Sequence, residues 1–141
     1  MPEINYLAVL VCGVASMVLG FVWYGAIFKN VWLRLMGWGE DHVAGPEGKK
    51  AANRGYVISF IGSLVMAYIL SHVITYASDY TNTEGVTAGL TSGFWMWLGF
   101  VAPVTLGSVL WEGKSWKLWG LNNAYYLVQL LVFGAILASW R

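Results

Sequence analysis

The charges of this chain are gathered into a few short segments, and that segregation limits the possible folds more than any motif does. Ile4 to Phe28, Gly55 to Ser78, Val86 to Trp111 and Leu118 to Trp140 contain no Asp, Glu, Lys or Arg, so all eight basic and seven acidic residues fall outside these windows. About 20 apolar residues cross a hydrocarbon core about 30 Å thick, and each window is long enough to do so. Inside lipid every backbone N–H and C=O needs a partner within the protein, which for single runs of this length selects the helix. The expected fold is therefore all-α: an integral membrane four-helix up-and-down bundle forming one transmembrane domain over residues 1–141. The spans are expected at about 4–28, 55–78, 86–111 and 118–140, with loops at 29–54 and 112–117. Composition agrees, since 11% of residues are charged and 58% hydrophobic, against about 25% charged in soluble domains.

The start "MPEINYLAVL" is acidic and leads into a long apolar run, unlike the basic start and short apolar core of a signal peptide. It is expected to be a retained span. The single cysteine, Cys12, lies within that span and supports neither a disulfide framework nor a cysteine-rich metal site. A net charge of +1 gives no reason to expect a nucleic-acid partner.

Lys29, Arg34, Lys49, Lys50 and Arg54 separate the first two windows, and Lys114 and Lys117 separate the last two; Arg141 is the remaining basic residue. By the positive-inside rule both basic loops are cytoplasmic and both termini lie outside. The expected location is a bacterial cytoplasmic (inner) membrane, with the lipid bilayer as the first partner.

The turn "SVLWEGKSWKLWG" then faces the cytoplasm. Trp111, Trp116 and Trp119 suit the headgroup layer, where a ring is half buried and its N–H stays wet. Glu112 is the unusual residue, because a carboxylate at a membrane boundary calls for a partner. Lys114 and Lys117, or Asn122 and Asn123 at the head of the next helix, are the candidates. Glu112 is expected to clamp this hairpin.

In the first loop, Val31, Trp32, Leu35 and Met36 are spaced for a short amphipathic helix lying in the interface, ended by Gly37 and Gly39. Glu40, Asp41 and His42 are adjacent in a glycine-bounded stretch, where side chains rarely converge on one ion, and are read as a solvated turn. No metal site and no cofactor is expected.

Within the windows small residues recur at every fourth position: Ala8, Cys12, Ser16 and Gly20 in the first, Ser59, Ser63, Ala67, Ser71 and Thr75 in the second, Gly89 and Gly93 in the third. Such stripes let helix backbones approach closely in lipid. The Gly89–Gly93 pair is expected to face outward, free to meet a second copy. Pro103 is expected to kink the third helix and leave the Gly99 carbonyl short of its partner, a site for a neighbouring hydroxyl. The deep polar residues are Gln129, Trp97 and His72, with Asn122 and Asn123 nearer the cytoplasmic side. Depth counting sets Gln129 level with Trp97 and Ser63, and His72 level with Thr91, Ser92 and Cys12. Two readings stand: interhelical hydrogen bonding, or a solute path or ligand pocket.

Three stretches resemble a known family: "GFVWYGAIF", "AYILSHVI" and "FWMWLGFVAPVTLGSVLWEGKSWKLWGLNNAYYLVQLLVFGAILASW". They are similar to domain-of-unknown-function family 1761, small four-span membrane proteins of bacteria and some archaea. The matching residues are Trp23, Tyr24, Gly25, His72, Trp97, Gly99, Pro103, Trp111, Glu112, Lys114 and Asn123. Ala26 and Ser115 stand where the pattern often has proline. The resemblance implies the fold and topology and brings no activity.

No window contains a carboxylate, and no Ser-His-acid order or paired His and acid on one span face is present. The leading expectation is a non-catalytic oligomeric scaffold or accessory subunit of a membrane complex. Its partners are copies of itself or another membrane protein, with a small-molecule or lipid ligand left open. The alternatives are permeation or binding of a small solute along His72 and Gln129, or a membrane enzyme with a cytoplasmic-face site around Glu112.

Overall fold

The structure, a computed structural model, describes residues 3–39 and 45–140. Among the described residues 86% are helical and no strand occurs. Helix α1 (Tyr6–Gly20) runs on through a π-helical segment (Phe21–Ile27) into α2 (Lys29–Met36). Then come α3 (Pro46–Thr81), α4 (Gly85–Phe100), the short α5 (Ala102–Thr105) and α6 (Gly107–Leu110), and α7 (Trp116–Ser139). Four stretches are long and apolar enough to cross a membrane: Tyr6–Ile27, Pro46–Thr81, Gly85–Leu110 and Trp116–Ser139.

The second span departs from its charge-free window. Helix α3 starts at Pro46, with proline in the first turn and Glu47 beside it, instead of at Gly55. Proline at that position has no N–H to lose and its φ is already helical, while an acid in the first turn suits the helix dipole. Charge marks what a bilayer excludes, not where a helix begins. Lys49, Lys50 and Arg54, expected in a loop, lie on α3. At 1.5 Å per residue its 36 residues reach about 54 Å, beyond a hydrocarbon core.

Helices α1 and α3 run antiparallel, as their contacts show. Tyr6 stacks on Tyr68 while Ser16 meets Ser63, which sets α1 against α3. Asn5 caps α1 by accepting from the Leu7 and Ala8 amides, and its Nδ2 donates to the Trp140 carbonyl at 2.9 Å. The beginning of α1 and the end of α7 thus share one end of the molecule. The buried core lies among α1, α3 and α7, around Ala8, Cys12, Ala67, Leu70, Ile74, Phe133 and Leu137. Outward-facing Val18, Ile58, Ile69, Phe100 and Val104 are exposed, as suits side chains bordered by acyl chains.

The closest packing is between α4 and α7, and it overturns the expectation of an outward GxxxG. A Cβ built on Gly89 would lie 2.5 Å from the Gly134 carbonyl carbon and 2.7 Å from the Ala138 Cβ. One built on Gly93 would lie 2.6 Å from the Leu130 carbonyl oxygen. The stripe is used within the chain, against a second small residue that four-residue spacing in one helix does not reveal.

The third span breaks where proline requires it. Val101 ends α4 at φ −115°, and Pro103 opens α5. The Thr105 hydroxyl donates back to the Val101 carbonyl at 2.8 Å, and that carbonyl also accepts from the Thr105 amide. No side-chain hydroxyl reaches the Gly99 carbonyl among the described residues, so the expected hydroxyl partner for that carbonyl is not found. Pro103 itself is exposed.

Candidate functional site

The break at Pro103 turns Thr105 toward the head of α7, where it meets Asn123. The Asn123 side chain is buried, and its Nδ2 donates to Thr105 Oγ1 at 2.9 Å and to the Trp119 carbonyl at 3.0 Å. Trp119 Nε1 also donates to Thr105 Oγ1, at 3.1 Å, and Trp97 Nε1 donates to the Asn123 carbonyl at 2.9 Å. Thr105 therefore accepts twice and donates once, so one hydroxyl joins α5 to two side chains of α7.

The first span reaches the same place through its π segment. Widening the helix there adds a residue to the turn and lets consecutive side chains face one neighbour. Trp23 and Tyr24 both pack on Tyr125, and Tyr24 donates its hydroxyl proton to Asn122 Oδ1 at 2.7 Å. Trp23 is less well served: its indole N–H is buried and has no hydrogen-bond partner among the described residues. Gly25, beside them, is exposed.

A cleft of about 350 Å³ opens beside this cluster, lined by Thr105, Ser108, Glu112, Asn122, Asn123 and Tyr126, among others. Ser108 donates to the Thr105 carbonyl at 2.8 Å. The Glu112 carboxylate, the Asn122 amide nitrogen and the Tyr126 hydroxyl have no protein partner among the described residues. An acceptor with a formal charge, a two-proton donor and a hydroxyl thus share one small cleft.

This corrects the expected clamp. No ion pair joins Glu112 to Lys114 or Lys117 among the described residues, all three being exposed, and Asn122 and Asn123 are turned to Tyr24 and Thr105. The hairpin is closed by its backbone instead: Gly113 takes φ +72°, the Lys114 amide donates to the Ser108 carbonyl, and Ser115 caps α7 by accepting from Leu118 N–H. A short turn can satisfy its own backbone, which leaves the carboxylate free. Trp111 is exposed, as are Lys114 and Trp116.

Deeper in the bundle the polar residues pair with one another. Gln129 Nε2 donates to Ser16 Oγ at 2.7 Å, and Ser16 Oγ lies 2.8 Å from Ser63 Oγ. Gln129, Ser16 and Ser63 are 5%, 2% and 3% exposed. Tyr125 donates to the Ser16 carbonyl at 3.3 Å, so α1, α3 and α7 are tied at one level. Gln129 and Ser63 are level as expected, whereas Trp97 lies nearer the head of α7, bonded at Asn123. His72 stands apart: its Nδ1 is 3.0 Å from the Tyr68 carbonyl on its own helix, and its ring packs edge-on against Tyr68. The structure does not bring His72 and Gln129 into one lane.

Glu40, Asp41 and His42 lie outside the described residues. No group of three His, Cys, Asp or Glu side chains able to hold a metal ion occurs among the described ones. Sequence reasoning missed Thr105 and gave Ser16 only a packing role. The available signals were a hydroxyl two residues past a mid-span proline, and a serine at the depth of Ser63.

The helices and this site define the class, an all-α membrane protein with four candidate spans. Within that class the chain belongs to the family described as protein of unknown function (DUF1761), whose model matches residues 7–138, nearly the whole chain. No curated protein and no solved structure was found to match.

Proposed function

We propose that this protein does no chemistry of its own and serves as an oligomeric scaffold or accessory subunit of a complex in a bacterial cytoplasmic membrane. The observation that carries this reading is the buried set Gln129, Ser16 and Ser63, whose amide nitrogen and two hydroxyls bond to one another. A conduit needs a continuous wet lane of polar groups, and groups satisfied in this way fix helices instead. The described antiparallel contacts support an up-and-down bundle, and the spacing of Val31, Trp32, Leu35 and Met36 along one face of α2 supports that helix lying in the interface. The basic loops are cytoplasmic and the termini outside, on the basis of the lysine and arginine distribution.

Native mass spectrometry from mild detergent tests the assembly, with a multimer or a co-purifying membrane subunit expected and a bare monomer under all gentle conditions counting against it. Reporter fusions after Glu47 and after Ser115 are expected to read as cytoplasmic, and one near Thr81 as external.

A second reading is favoured by one observation, the three unpartnered polar groups in the cleft at Glu112. In this reading the cleft holds a small polar molecule, with Glu112 and Asn122 as the contacts. Its volume falls at the low end of ligand pockets, about 300–1,000 Å³. Loss of a ligand-induced thermal shift in Glu112→Gln tests it, against a screen of amines and other hydrogen-bonding solutes.

A further inference from the structure

A second groove, on the other side of the α7 head, has a different chemistry. It encloses about 430 Å³ between α2 and the first turns of α7, and its walls are Phe28, Val31, Leu35 and Leu121. Arg34 from α2 and Lys117 from α7 also line it, and no acidic residue does. Both basic residues are exposed, and neither has an ion-pair partner among the described residues. The two cations come from separate elements, so the contact of α2 with α7 holds them beside one groove. Lys117 also sits in the first turn of α7, where the amide dipoles favour an anion.

We propose that this groove binds the phosphodiester headgroup of an anionic phospholipid between Arg34 and Lys117, with an acyl chain along the apolar wall. Charge complementarity selects the anion: two like charges beside a low-dielectric wall repel each other until a phosphate neutralises them. Arginine offers it a planar pair of donors and lysine a point charge. The apolar wall selects a lipid over free phosphate, which has nothing to place against Phe28, Val31, Leu35 and Leu121. The position fits, since basic pockets between helices at a membrane's cytoplasmic face take anionic headgroups. The inference rests on the membrane reading above, with this end of the bundle at the headgroup layer.

The test is lipid retention by the purified, delipidated full chain. Phosphatidylglycerol and phosphatidylcholine are added together in equal amounts and their retention is read by native mass spectrometry. Because both lipids report on the same folded molecules, their ratio does not depend on how much protein is folded. The parent is expected to prefer phosphatidylglycerol, and Arg34→Gln or Lys117→Gln to reduce that preference on the order of fivefold each. Arg34→Lys, which keeps the charge, is expected to retain most of it. Equal retention of the two lipids by the parent overturns the site while leaving the membrane reading intact. Undiminished preference in the Arg34→Gln, Lys117→Gln double variant overturns it as well. So does displacement of phosphatidylglycerol by inorganic phosphate at equal concentration, which would mark a site for the free anion. No retention of either lipid overturns both the site and the lipid contact it presumes.

Discussion

Gly89 and Gly134 meet backbone to backbone: a Cβ on either would stand 2.5 or 2.6 Å from the other's carbonyl carbon. Such contact holds α4 on α7 without long side chains, through dispersion between close backbones. It also gives the third and fourth spans a single register.

Gly89→Ala and Gly134→Ala are each expected to lower the melting temperature in detergent sharply. The cost should reach or exceed the about 3 kcal/mol upper end of ordinary overpacking, because the atoms met are backbone. Their double variant should cost less than the sum, since one contact is lost twice. Gly62→Ala is the control, because nothing lies within 4 Å of a Cβ there. It should be neutral or stabilise by up to about 1 kcal/mol.

Ser16→Ala should leave Gln129 Nε2 without its partner and destabilise by about 1–2 kcal/mol. Adding Gln129→Leu removes the stranded amide, so the double variant should melt above Ser16→Ala alone. Additive losses measured by thermal melting would show that the two side chains do not act on each other.

Thr105→Val keeps the shape of the side chain and removes the hydroxyl that joins Val101, Trp119 and Asn123. A fall of about 2 kcal/mol in stability is expected, with most of it restored in Thr105→Ser. If valine and serine melt alike, the hydroxyl is not what fastens the broken span to α7.

Trp23 and Trp97 give a matched pair. The Trp97 N–H reaches the Asn123 carbonyl, whereas the buried Trp23 N–H reaches no described partner. Replacing each by phenylalanine removes similar ring area. Trp97→Phe should therefore be costlier by about 1 kcal/mol, read from the two melting curves.

Charge segregation made the four spans legible, because lipid excludes charge whatever the neighbours are. It could not place the start of α3, since a helix of Lys49, Lys50 and Arg54 is stable once it projects beyond the hydrocarbon. The small-residue stripes identified Gly89, Gly93 and Ser63 as packing positions, and all three are buried. Which helix each stripe faces depends on the partner's surface, so Gly134 and the inward use of the GxxxG were not readable. The same applies to the candidate site. Asn123 and Glu112 stand out in the sequence as polar residues near a boundary, but Thr105 joins them only because Pro103 bends the chain toward α7. The π segment at Trp23 and Tyr24 had no readable signal, being a register shift made against tertiary neighbours.

Sealed polar groups in the bundle and an open carboxylate at its end are the central contrast, and cysteine labelling tests both at once. In a Cys12→Ala background, Ser63→Cys and Glu112→Cys are treated with a small, membrane-impermeant cationic methanethiosulfonate, applied to spheroplasts and to inside-out vesicles. Glu112→Cys should react in inside-out vesicles and not in spheroplasts, and Ser63→Cys should react in neither. Labelling of Ser63→Cys at a rate near that of Glu112→Cys would mean that water reaches the middle of the bundle, and the polar core would then be a path rather than a seal.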